Sequence, residues 1–164
     1  MAPIADHQYS HQQRGFTLVE ALIALVILSI GLLGVAKLVT SAVHADDSAY
    51  MRGQATELAN EMLDTVRANR PAALDGGYAL APAAADCITG PCAPDVLAED
   101  DLYSWQSRLG QALPSGTGTV TITTDANNDE IASVAVTWDD SLAQRAFGTP
   151  ATPTSMTVTL ESVL

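Results

Sequence analysis

The sequence predicts an α+β protein in which one long N-terminal helix, membrane-spanning in its first half, packs its second half against a small antiparallel sheet. Three observations carry this. The run from Phe16 to Ala36 is apolar with a single charge, Glu20. Apolar residues then recur at helical spacing as far as Val66, and no proline occurs between Phe16 and Arg70. Beyond Gly116 the pattern changes to strict alternation in three short segments. With 164 residues the chain has room for one modest domain beside the apolar run.

Residues 1–15 form a polar leader with no apolar period, and read as a disordered cytoplasmic tail. Arg14 is its only Lys or Arg and directly precedes the apolar run; basic residues flanking a span favour the cytoplasmic side. The expected orientation is N-terminus in, hydrophilic part out. Residues 16–36 reach roughly 30 Å at helical rise, the thickness of a bilayer's hydrocarbon core. A cleavable secretory signal needs an apolar region of only about 7 to 15 residues, so this run reads as an anchor. Val43-His44-Ala45 offers small residues where signal peptidase prefers them, but the length of the run and Glu20 weigh against release there. A charged side chain deep in a membrane helix costs about 2.5 to 3.5 kcal/mol on insertion scales, so Glu20 is a candidate functional residue in need of a partner. The plainer alternative leaves it in the headgroup region.

Residues 37–69 continue the helix as an amphipathic half. Leu58, Met62 and Val66 fall on one face, widened by Ala55, Ala59 and Leu63, while Asp64 and Arg67 can pair at i,i+3. Pro71 disfavours helical geometry at Arg70 and supplies the expected stop. Gly31, Gly34 and Gly53 weaken the helix by about 1 kcal/mol each relative to Ala. Residues 31–34 are where local melting on assembly would start, but close packing through small residues is the better reading of these glycines.

Residues 70–98, rich in Ala, Pro, Gly and Asp, read as a surface connection. Cys87 and Cys92 lie close together there, with turn-forming residues between them, as expected for an extracytoplasmic disulfide clipping a small loop. A free pair in a reducing compartment is the alternative; a metal site lacks a second Cys or His pair.

In residues 99–164, Leu102, Trp105, Leu109, Ala112 and Leu113 predict an amphipathic helix over about 101–113, with the acids Glu99, Asp100 and Asp101 at its start and Pro114-Ser115-Gly116 at its end. Alternation of Val120 and Ile122, of Val134, Val136 and Trp138, and of Met156, Val158 and Leu160 predicts three antiparallel strands, whose apolar face is expected to cover the stripe around Leu58 to Val66. Asp125, Asn127 and Asp129 have the start of a calcium loop's spacing. Glu130 stands where its glycine belongs and Val136 where its glutamate does, so a polar hairpin loop is the better reading.

A formal net charge of -12 argues against a broad nucleic-acid footprint, which needs clustered Lys and Arg. After the leader only His44 remains, and no nucleophile elbow, metal pair or phosphate loop is visible, so an enzyme is not expected and no catalytic residue, cofactor or metal ligand is assigned.

Gly15 followed by Phe16-Thr17-Leu18-Val19-Glu20 and a long apolar run resembles the prepilin signature of the type IV pilins and pseudopilins. The resemblance implies a pilin-like fold. It implies cleavage between Gly15 and Phe16 by a prepilin peptidase, N-methylation of Phe16, and retention of Glu20 for subunit assembly. Trp105-Gln106-Ser107-Arg108-Leu109, Leu113-Pro114-Ser115-Gly116 and Val134 to Asp140 further resemble minor pilins of the PilV type. The implied partners are the prepilin peptidase, the major pilin and other minor pilins, the pilus assembly machinery, and inner-membrane lipid before assembly. The implied location is the inner membrane with the C-terminal part periplasmic, then the pilus surface. A minor pseudopilin of type II secretion, or a tip-located adhesin or DNA-uptake pilin, shares these features.

Overall fold

The structure is a computed structural model describing residues 15–87, 90–141 and 154–164. The expectations for residues 1–14 of the leader, and for the turn residues Ile88 and Thr89, lie outside these. Helix α1 spans Leu18–Ala68, followed by α2 (Arg70–Leu74), a single 3-10 turn (Gly77–Ala79) and α3 (Pro94–Ala112). Strands β1 (Thr117–Thr124), β2 (Glu130–Asp139) and β3 (Ser155–Val163) form one antiparallel sheet in the order β1-β2-β3. The chain divides into two compact units, residues 1–40 and 41–164.

In the second unit the core forms where the helical period placed it. Ala55, Leu58, Ala59, Met62, Leu63 and Val66 of α1 are all buried. They share one cluster with Ala98, Leu102, Trp105 and Leu109 of α3 and with Ala132, Val134, Val136 and Trp138 of β2. Strand alternation sets the sheet's inner face: Val120 pairs with Val134 and Val134 with Leu160, while Val136 pairs with Val158 and Trp138 with Met156. The outer face is threonine-rich, and the Thr137 and Thr157 hydroxyls meet across strands at 2.9 Å. Arg67 pairs with Asp64 at 2.7 Å as its spacing suggested, and Arg108 reaches from α3 to Glu61 of α1.

Two helix boundaries differ from expectation. The stop expected at Arg70 and Pro71 falls one residue earlier, at Asn69, whose backbone leaves helical geometry (φ -107, ψ 46). Its buried side-chain amide donates to the Pro94 carbonyl at 2.7 Å, a tertiary bond that the local sequence does not announce. Pro71 then sits in the first turn of α2, where a missing N–H costs nothing. The helix expected over 101–113 begins at Pro94, again with proline in the first turn. Glu99, Asp100 and Asp101 therefore lie inside α3. They serve the connection instead: Asp100 accepts the Ala85 N–H at 2.8 Å and the Glu99 carbonyl accepts that of Ala83 at 3.2 Å. The region read as a surface loop over 70–98 is thus partly helical and is tied along α3.

Trp105 is fully buried and donates its indole N–H to the Leu58 carbonyl of α1 at 2.9 Å. Its ring lies over Gly118 of β1, where an added Cβ would stand 2.2 Å from Cη2 of Trp105 and 2.7 Å from Cδ1 of Leu109. Next to it, Gln106 closes a reciprocal pair with the Gly118 backbone, donating to the carbonyl and accepting the N–H. Gly118→Ala is therefore expected to destabilise the fold by about 1 to 3 kcal/mol, the usual cost of overpacking. Urea denaturation of the detergent-solubilised chain, compared with wild type, checks this.

Candidate functional site

Gly15, Phe16 and Thr17 precede the helix and are exposed, Phe16 at 74%. The helix starts after them because Thr17 caps it. The Glu20 N–H donates to Thr17 Oγ1 at 3.3 Å, and the Ala21 N–H donates to the Thr17 carbonyl at 3.2 Å. The Gly15–Phe16 peptide bond is consequently non-helical and reachable, and nothing lies within 4 Å of where a Cβ on Gly15 would be. Glu20 stands in the first turn of α1, where the positive end of the helix dipole favours a carboxylate. Thr17 is a residue that the motif contains but its functional reading overlooked. The spacing Thr-x-x-Glu is a capping-box signal and would have located the helix start.

Downstream, the first unit presents an almost wholly apolar helical surface. Leu18, Leu22, Leu25, Ile27, Ile30 and Leu33 are each more than half exposed. The most apolar 18-residue window of α1 has mean hydropathy 2.6 and none of it is buried, so this helix is long and apolar enough to cross a membrane. The hydroxyls within or next to it are satisfied internally: Ser29 donates to the Leu25 carbonyl at 2.7 Å and Thr40 to that of Ala36 at 2.9 Å. The helix runs unbroken through Gly31 and Gly34, each with open space around it.

In the second unit Cys87 and Cys92 are joined, with Cα atoms 5.4 Å apart, which closes the choice between a disulfide and free thiols. Residues 125–129 form the expected hairpin loop between β1 and β2. Asp125 Oδ1 accepts the N–H groups of Asn127 and Asp129, each at 2.8 Å, and Asn128 takes a left-handed conformation (φ 69). These bonds, that from Asp129 foremost, hold the Asp125 carboxyl below the usual carboxylate range. Its oxygens thus serve its own turn. Among the described residues no group of three or more His, Cys, Asp or Glu is arranged around a metal position. Asp140, fully buried, accepts from the Ser48 hydroxyl of α1 at 2.9 Å.

Tyr78, from the 3-10 turn, is 3% exposed and donates to Asp101 at 3.0 Å. Burial, then the adjacent Asp101 charge, pushes the phenol well above its ordinary value. Burial likewise raises the Asp101 carboxyl, with the Tyr78 bond opposing it. Above pH about 10 the unfolded chain releases the Tyr78 proton while the folded chain keeps it, so stability is expected to fall as pH rises beyond that point. Urea midpoints at pH 9 and 11 check this, and Tyr78→Phe should flatten the difference.

Residues 10–36 match the family described as "Prokaryotic N-terminal methylation motif". The matched segment contains Gly15, Phe16, Thr17 and Glu20 and ends with the apolar run. No curated protein and no solved structure matches the chain. The chain therefore carries a prepilin-type N-terminal signal on a membrane-capable helix, followed by an α+β domain with a three-stranded antiparallel sheet.

Proposed function

We propose that this chain is a minor subunit of a type IV pilus, resembling the PilV type, which waits in the inner membrane and enters the filament through α1. A prepilin peptidase cuts between Gly15 and Phe16 and methylates the new N-terminus. The observation that carries this reading is the methylation motif over residues 10–36, set on a helix whose apolar surface is left uncovered by the described residues. Lipid covers that surface before assembly and neighbouring helices cover it afterwards. Cleavage creates a cationic amine at Phe16, and the Glu20 carboxylate of an adjacent subunit neutralises it. Each charge is costly to bury alone, and the two together form a pair. The α+β domain then faces the periplasm and finally the pilus surface, where the major pilin and other minor pilins are its neighbours.

Recovery of the chain in sheared pili, together with loss of piliation on its deletion, is the expected result. Normal piliation with defective protein secretion would instead make it a pseudopilin of a type II secretion system. Normal piliation with lost surface or DNA binding would make it a tip-located binding subunit.

A further inference from the structure

The sequence offers α1 two places to start. Thr17 is the one used: its side chain accepts the Glu20 N–H, its carbonyl accepts the Ala21 N–H, and the helix runs from Leu18. Just upstream stands Gly15, and glycine caps a helix about as well as threonine does. A helix capped there would hold Phe16 in its first turn and bring the Val19 N–H onto the Gly15 carbonyl. Among the described residues nothing lies within 4 Å of a Cβ built on Gly15, so no contact obstructs that second start. The two starts differ in what they do to one peptide bond. In the observed one Gly15, Phe16 and Thr17 are non-helical and exposed. In the other the Gly15 carbonyl is bound into the helix and Phe16 is coiled with it.

We propose that Thr17 is a positioning residue for cleavage at Gly15–Phe16: its hydroxyl selects the later helix start and so keeps the scissile bond extended. This inference rests on the processing by a prepilin peptidase proposed above. Hydrolysis adds water across the bond, hydroxyl to the Gly15 carbonyl carbon and a proton to the Phe16 nitrogen, so that carbon must be presented to the enzyme. An extended segment offers its backbone N–H and C=O groups to a cleft, whereas a helix has already spent them on itself. The Thr17 side chain is exposed, so changing it acts through the cap and not through packing. Alanine removes the cap and raises helix propensity at that position, which leaves Gly15 as the better cap. A chain in the earlier start must unwind before it is cut. The peptidase then meets a smaller competent fraction, so KM rises by the inverse of that fraction while kcat is unchanged.

The test measures initial cleavage rates of the full chain in detergent micelles by a prepilin peptidase, over a range of chain concentrations. Thr17→Ala is expected to raise KM by up to about fivefold, the usual worth of a cap, with kcat unchanged. Thr17→Ser, nearly the size of alanine but with the hydroxyl, should match wild type. The Phe16 Cα chemical shift should move toward its helical value in Thr17→Ala alone. Leu18→Pro fixes the start without the hydroxyl, since proline suits the first helical position and disfavours helical geometry at the residue before it. In that background Thr17→Ala should lose its effect on both the shift and KM. A wild-type KM for Thr17→Ala overturns the inference. So does an effect that persists beside Leu18→Pro, because the peptidase would then be reading the hydroxyl directly. A wild-type chain left whole by the peptidase overturns the processing reading and this inference with it, whereas a wild-type chain that is cut no better than Thr17→Ala overturns this inference alone.

Discussion

Trp105→Ala is expected to leave the α+β domain unfolded or nearly so. The side chain is fully buried between α1 and β1, and its indole N–H satisfies the Leu58 carbonyl. Removing it opens a cavity and deletes a bond that joins α3 to α1. Large-to-small changes at buried aromatics cost about 3 to 5 kcal/mol. Whole domains are stable by only about 5 to 15 kcal/mol, and a core of this size belongs near the lower end. The expected readout is loss of near-ultraviolet circular dichroism and rapid proteolysis of residues 41–164, with the anchor still membrane-associated. Trp105→Phe, which keeps most of the volume and loses the bond, should fall between wild type and Trp105→Ala. That ordering separates packing from hydrogen bonding.

Glu20→Ala is expected to act at a different stage. The cleavage junction lies before the helix, and the cap that fixes the helix start comes from the Thr17 side chain accepting the Glu20 backbone N–H, which alanine retains. Processing should therefore proceed. Assembly should not, because the Phe16 amine of a neighbour would enter the filament core without its counter-charge. Breaking one side of a buried pair costs about 3 to 5 kcal/mol, or roughly 150-fold to 5,000-fold in an equilibrium. Quantifying the variant in sheared pili against its level in membranes checks this. Wild-type recovery in the sheared fraction would remove the pairing argument.

The features legible in the sequence are those written in short-range periodicity. Leu58, Met62 and Val66 announced the core face of α1, and alternation through Val134, Val136 and Trp138 announced β2 with its inner face. The methylation motif over residues 10–36 was legible because it is contiguous in the chain. Features created by distant contacts were not. Asn69 ends α1 through a bond to Pro94, twenty-five positions away. The acids at 99–101 look like a helix start until Ala83, Ala85 and Tyr78 are seen to use them as acceptors. Gly118 gave no sign that the Trp105 ring rests on it, and Gln106 no sign that it completes the ladder there. The Trp138 indole N–H finds no acceptor among the described residues, and nothing in its local sequence suggests that.

The central claim is that the Gly15–Phe16 bond is cut to release an anchored helix that begins with a methylated amine. Intact-mass and N-terminal peptide measurement of the chain from its native host, with and without prepilin peptidase, tests it directly. The expected result is a chain starting at N-methylated Phe16 when the peptidase is present and the full leader when it is absent. A leader retained in both, or a soluble product starting after Ala45, would contradict it.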